Sequence, residues 1–236
     1  MKIADTAPAA LCNELELLLD TVPLDGAEVL ELGCGKAEKT RRLAASPRIA
    51  RVLALEVDAI QHASNLCIAN APKVEFRAGG AEAVPAEDAR FDLVVMFRSL
   101  HHVPVDKMDD ALAEIARVLK PGGWAWISEP VYAGDFNEVL RLFHDERLVR
   151  EAAFGAVCRA VERGALKLER QLFFDTRSDF RDFDEFDARI IRVTHTTHRL
   201  SEDTYRQVRS RFEAHLGADG ARFRVPNRVD LLRKPA

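Results

Sequence analysis

Between residues 27 and 130 short apolar runs alternate with helical patterns, and a glycine turn follows the first run. Ala27 to Leu32, Val52 to Val57, Lys73 to Ala78, Phe91 to Phe97 and Trp124 to Ser128 read as strands. Segments long enough for a crossover helix or loop separate them, which predicts parallel pairing. Over Asp106 to Leu119, Met108, Leu112, Ile115 and Leu119 share one helical face. Asp109 and Asp110 in its first turn, and Arg117 and Lys120 near its end, suit the helix dipole. Lys120-Pro121-Gly122-Gly123 then stops the helix and launches the next strand, because proline lacks a donor and glycine accepts positive φ. Repetition of strand, helix and strand predicts a sheet covered on both faces. An N-terminal helix is expected ahead of it, from the spacing of Leu11, Leu15, Leu18 and Leu19.

The chain of 236 residues has a formal net charge of −4, which excludes a generically basic nucleic-acid binder. A chain of this mass buries about 70% of its surface on folding, enough for one well-cored domain with an appendage. The reading is an N-terminal helical segment over 1–26, a core over 27–133, and a helical cap with further sheet strands over 134–236 of the same domain. With 47% apolar and 31% charged residues the balance is that of a soluble protein, and no apolar run nears the ~20 residues of a spanning helix. The N-terminus lacks a signal-peptide pattern. Cys12, Cys34, Cys67 and Cys158 form no CxxC pair, so reduced thiols and a cytoplasmic location are expected, with no metal site.

Beyond residue 130 the rhythm changes, and ten of the 13 phenylalanines lie there. Phe180, Phe183, Phe186 and Ile190 recur at helical steps and predict a helix face packed on the core. Strand-like pieces at Leu168 to Thr176 and Arg222 to Leu232 flank a helical stretch from Glu202 to His215. Trp124 and Trp126 alternate on the fifth strand and are expected to fill the sheet core.

Gly33 and Gly35, where the first strand ends and a helix begins, let backbone approach a ligand, and the helix offers N–H groups to it. A nicotinamide-binding turn needs a small residue three positions after the second glycine, and Glu38 stands there instead. An acidic residue about 20 positions after such a turn, at the end of the second strand, can accept hydrogen bonds from ribose hydroxyls. Glu56 is 21 residues after Gly35, and Asp58 is its competitor by position.

Glu31-Leu32-Gly33-Cys34-Gly35 resembles the first motif of the class I S-adenosylmethionine-dependent methyltransferases. Four later segments resemble the same family in order. They are Leu55-Glu56-Val57-Asp58, then Gly79-Gly80-Ala81-Glu82, then Phe91-Asp92-Leu93-Val94-Val95 through Leu100-His101-His102-Val103. The last is Ala116 to Gly123 with Ile127-Ser128-Glu129-Pro130. The resemblance covers about residues 27 to 130. It implies a Rossmann-like doubly wound α/β sheet, mostly parallel with an antiparallel C-terminal strand, plus a helical cap. It also implies S-adenosylmethionine as cofactor and methyl transfer to an acceptor by in-line displacement. The family's third glycine is here Ala37, and the aspartate usual in the third loop is Gly80.

By this resemblance Glu31 lies under the glycine turn and orients the amino group of the methionine moiety, unless it only holds the loop's own N–H groups. Gly33, Cys34 and Gly35 form the cradle. Thr40 lies near the cofactor carboxylate, Glu56 and Val57 hold the ribose, and Phe97 borders the site. Adenine rests beside Gly80, on backbone near Ala81 or on Glu82. Lys36 and Lys39 are expected as solvated charges. His101 is the candidate base or orienter after the fourth strand, His102 its packing neighbour, and Arg98 a partner for an acidic substrate; each also has a purely structural reading. His195 and His198, without a third ligand nearby, make an incomplete metal site. A small-molecule acceptor is preferred over nucleic acid or membrane. A binding protein of the same fold that has lost transfer is the alternative.

Overall fold

A computed structural model describes residues 1–5, 9–192 and 199–236, which places His195 and His198 outside the described residues. The predicted alternation is present. In chain order the main elements begin with β1 (Ala10–Leu11), α1 (Glu14–Thr21), β2 (Ala27–Leu32), α2 (Glu38–Ala45), β3 (Ile49–Glu56), α3 (Ala59–Leu66) and β4 (Val74–Ala78). They continue with β5 (Phe91–Phe97), α4 (Met108–Val118), β6 (Leu119–Pro130), α5 (Asp135–Leu140) and α6 (Arg147–Glu162). The last are β7 (Lys167–Phe180), α7 (Phe183–Phe186), α8 (Glu202–Glu213), β8 (Leu216–Gly217) and β9 (Gly220–Arg233).

One sheet runs in the order β1-β7-β9-β6-β5-β2-β3-β4. Strands β6, β5, β2, β3 and β4 pair in parallel, and β9 is inserted antiparallel between β6 and β7. Neighbouring residues of a strand face opposite sides, so Val29, Leu93, Val95 and Trp126 pack with Leu15, Leu18 and Leu43 of α1 and α2. Leu30, Val94, Met96 and Ile127 pack on the other side with Leu112, Ile115 and Val157 of α4 and α6. This is the doubly covered sheet expected. Among the described residues, no helix is long and apolar enough to cross a membrane.

The sequence misplaces some detail. Ala10 and Leu11 form a short strand on β7 rather than helix, and α1 starts only where the Asn13 side chain caps it by accepting from the Leu15 N–H. The strand expected at Trp124 begins at Leu119, so the proline–glycine turn lies within the first residues of β6. Phe180, Phe183 and Phe186 do not share one helix: Phe180 closes β7 and the others lie on α7. They still converge, because Phe212 of α8 and Phe223 of β9 join them in one aromatic cluster of the cap. Trp126 is fully buried, whereas Trp124 is half-buried beside the Arg233 guanidinium.

Candidate active site

The connections reverse between β2 and β5. From β2 the chain winds outward through β3 to β4, and from β5 it winds the other way to β6. A crevice opens at such a point beyond the carboxyl ends of the strands, and it is where open α/β sheets bind ligands.

The glycine turn forms the floor of this crevice. Gly33 has φ of +75° and Gly35 of +51°, in the region that glycine enters without penalty. A Cβ at Gly33 would lie 2.8 Å from the Ser99 Cβ, so the turn after β2 packs directly on the end of β5. The Ser99 hydroxyl donates to the Leu32 carbonyl at 2.6 Å and ties the two ends together. A Cβ at Gly35 would meet nothing within 4 Å, so the space beside this residue is open. Ala37 takes the left-handed conformation, φ 54°, at the start of α2. Asn65 of α3 clamps the outer side by donating to the Gly35 carbonyl at 2.7 Å and to Cys34 Sγ at 3.4 Å. Burial pushes the Cys34 thiol up to about 12, which leaves it a neutral packing group.

Glu56 is nearly buried and gathers the loops. Its Oε2 accepts from the Gly35 N–H at 2.7 Å, and its Oε1 from Val57 and Asp58 at 2.9 and 3.0 Å. A carboxylate offers about four acceptor positions. Three backbone donors therefore leave room on Oε2 for one more. Asp58 caps α3 by accepting from the Ile60 and Gln61 N–H groups. Val57, directly after β3, is exposed, and Ala81 of the third loop is buried. At Gly80 an added Cβ would collide with the Glu82 carboxylate. The Glu82 side chain thus stands where a side chain at 80 would otherwise project.

Glu31 and Thr40 lie beneath the turn, and both are buried. Glu31 Oε2 and Thr40 Oγ1 have no hydrogen-bond partner among the described residues. Burial pushes the Glu31 carboxyl up to about 7. Two buried polar atoms and a glycine cradle suit a ligand carrying a cationic amino group, so the residues fit S-adenosylmethionine. Lys39 departs from expectation: it forms an ion pair with buried Glu14 of α1 and lies 4.5 Å above the Phe97 ring. Glu14 Oε1 also accepts from Trp126 Nε1 at 3.3 Å, so α1 is fastened across this end of the crevice.

A cavity of about 270 Å³ adjoins it, and the turn after β5 is its shared wall. Arg98, His101 and His102 line it with Phe136, Leu140 and Ile190 of the cap. Arg98 holds a positive φ of 60°, and its N–H donates to the Ser128 carbonyl. His101 is buried between two carboxylates. Its Nδ1 lies 2.5 Å from Glu129 Oε2, and its Nε2 lies 3.6 Å from Glu146 Oε1. Burial pulls the imidazolium down, but Glu129 and Glu146 outweigh it and hold the group up at about 9. Both carboxylates thus fix the ring in place and raise its affinity for a proton. His102 is the exposed member of the pair, with its ring centroid 4.1 Å from that of His101.

Several residues of this wall escape sequence reasoning. Glu129 accepts from the Leu100 N–H at 3.0 Å besides holding His101. Arg150 donates to Glu146 Oε2 at 2.5 and 3.1 Å and to Asn137 Oδ1 at 3.2 Å. Glu129 alone left a signal, as a charge inside an apolar strand. The other partners lie on the cap, at no fixed spacing from the motif.

Sheet order, glycine turn and carboxylate together define a nucleoside-binding α/β core. The family model described as Methyltransferase domain matches residues 29–123. Over this stretch the chain carries a methyltransferase domain, and S-adenosylmethionine is the cofactor that such a domain implies. It is 32% identical over 151 residues to a fatty-acid O-methyltransferase of Mycolicibacterium smegmatis, covering 62% of this chain and 54% of that protein. It is 31% identical over 106 residues to a ubiquinone biosynthesis O-methyltransferase of Burkholderia orbicola, covering 44% and 45%. The chain thus spans about half the length of these curated relatives. A crystal structure described as a putative methyltransferase from Bacillus halodurans shares the fold, with a TM-score of 0.64, 20% identity, and coverage of 94% of this chain and 99% of that one.

Proposed function

We propose that the protein transfers the methyl group of S-adenosylmethionine to a small, partly apolar acceptor that presents an anionic oxygen, a carboxylate first of all. The observation that carries this is the cavity beside the cofactor crevice, with apolar cap residues on one side and Arg98 and His101 on the other. S-adenosylmethionine supplies a methyl already activated on a sulfonium. The chain therefore has to align two reactants and keep water out, a contribution of roughly 7–11 kcal/mol in favourable cases. His101 holds its proton at neutral pH when no metal is bound, which favours an acceptor already ionised over an alcohol that would have to give a proton to it. Arg98 would draw the anion to the shared wall, while Phe136, Leu140 and Ile190 pack its apolar part. The name of the Mycolicibacterium smegmatis relative supports a carboxylate acceptor.

In this reading Gly33, Cys34 and Gly35 cradle the cofactor, Glu31 and Thr40 take its amino-acid end, Glu56 and Val57 take the ribose, and Phe97 borders the site. Adenine lies by Gly80 and Ala81 with Glu82 as acceptor. Turnover with methyl-labelled donor on a panel of medium- and long-chain fatty acids, aromatic acids and phenols tests the reaction. Label is expected in the acids, and binding of donor without transfer to any acceptor would favour the non-catalytic alternative.

Two predictions concern the cofactor. Because the Glu82 carboxylate fills the place of a side chain at 80, Glu82→Ala is expected to weaken cofactor binding about tenfold, near 1.4 kcal/mol. Adding Gly80→Asp to that variant is expected to recover most of the loss. Calorimetric titration with the demethylated cofactor reads both, and an unchanged affinity in Glu82→Ala would move adenine elsewhere. A cationic amino group beside Glu31 lowers its pKa, so binding near pH 6.5 is expected to release a proton and affinity to rise with pH up to about 7 and level off above it. Without ligand the sign for folding is the reverse. Glu31 is raised in the folded state, so the stability its protonation contributes is present below the unfolded value and is lost as pH rises through about 7. Binding heats that do not vary with the buffer's ionisation enthalpy at pH 6.5 would exclude this part for Glu31.

A further inference from the structure

We infer that His101, His102 and Glu146 form a binding site for a divalent first-row transition cation of the zinc type, in the wall between the cofactor crevice and the cap cavity. One nitrogen from each imidazole and one carboxylate oxygen lie within 4.8 Å of one another. Donors at ~2.1 Å from a tetrahedral cation stand ~3.4 Å apart, close to the 3.6 Å between His101 Nε2 and Glu146 Oε1. His144 Nε2 lies 2.9 Å from the same Glu146 oxygen and brings a fourth donor to the edge of the site.

The groups behind these donors are arranged as metal sites require. Histidine ligands almost always present their second nitrogen to a carboxylate or carbonyl, which fixes ring and tautomer. Here Glu129 Oε2 holds His101 Nδ1 at 2.5 Å, and the Leu100 N–H fixes the other Glu129 oxygen. Arg150 and through it Asn137 occupy the far side of Glu146, so that Oε1 is the oxygen turned to the imidazoles. Two imidazoles and one carboxylate suit zinc, iron(II), manganese or cobalt better than magnesium or calcium. Further coordination positions would go to water or to an acceptor oxygen, a step that rests on the transfer reaction proposed above.

The test uses the full chain without a polyhistidine tag, stripped with a chelator, dialysed and titrated with Zn²⁺ or Co²⁺. One equivalent retained on desalting and the visible absorption of low-symmetry Co²⁺ are expected. His102→Ala, at an exposed position, is expected to weaken binding by at least about tenfold with its circular dichroism unchanged, and Glu129→Gln by about 10–100-fold. Glu146→Gln is also expected to abolish binding, and its folding is checked alongside because it releases Arg150. No retained metal, or binding equally tight in His102→Ala, would overturn the site and leave a plain ion-pair network. These readouts involve no turnover, so an error in the proposed acceptor does not alter them.

Discussion

Gly33→Ala is expected to cost about 3 kcal/mol of stability and to lower the melting temperature by roughly 6–12 °C. Two effects add. The residue holds φ of +75°, where an L side chain costs roughly 1–2 kcal/mol. The new Cβ would also sit 2.8 Å from the Ser99 Cβ, and over-packing of this kind costs typically 1–3 kcal/mol. Ser99 cannot retreat freely, because its hydroxyl is bound to the Leu32 carbonyl of the same turn. Relief by moving the turn would displace Gly35 and the mouth of the crevice, so cofactor affinity is expected to fall with stability. Gly33→Ala combined with Ser99→Gly separates the effects: the collision goes while the backbone strain and the loss of the Ser99 hydroxyl bond stay, so the double variant is expected to lose less stability than the two single variants summed. Losses that simply add would show that the contact with Ser99 is not what constrains this turn.

Glu56→Gln is expected to lose about 2–3 kcal/mol of stability and at least tenfold in cofactor affinity. The carboxylate accepts from three backbone N–H groups at once. An amide in its place turns an NH₂ group toward at least one of them, and a hydrogen bond to a charged acceptor contributes on the order of 1.5–3 kcal/mol. The loss spreads because Gly35 belongs to the glycine turn and Val57 and Asp58 lead into α3. Thermal denaturation reads the first effect, and titration of folded variant with the demethylated cofactor reads the second. A folded Glu56→Gln that binds as tightly as the parent would take the ribose away from Glu56. Asp58 is poorly placed to inherit it, since its carboxylate caps α3.

What the sequence discloses follows from how local each interaction is. Phe91–Phe97 coincides with the observed strand because its residues are apolar throughout and both ends carry turn signals. The glycine turn is legible because positive φ restricts residue type. Strand β1 was not, since two exposed residues held by backbone bonds to β7 leave no side-chain pattern. Lys39 reads as one more surface charge until the fold brings Glu14 to it from 25 residues away. The Glu129–His101–Glu146 arrangement is hidden for the same reason. Its members come from β6, the turn after β5 and the start of α6, and only the sheet order and the packing of the cap bring them together.

Isothermal titration of the folded chain with S-adenosylhomocysteine, at two temperatures so that a vanishing enthalpy at one is not mistaken for silence, tests the central claim most directly. One saturable site that weakens in Glu56→Gln is predicted. Absence of heat at both temperatures from protein with intact circular dichroism would contradict the assignment of the crevice to this cofactor.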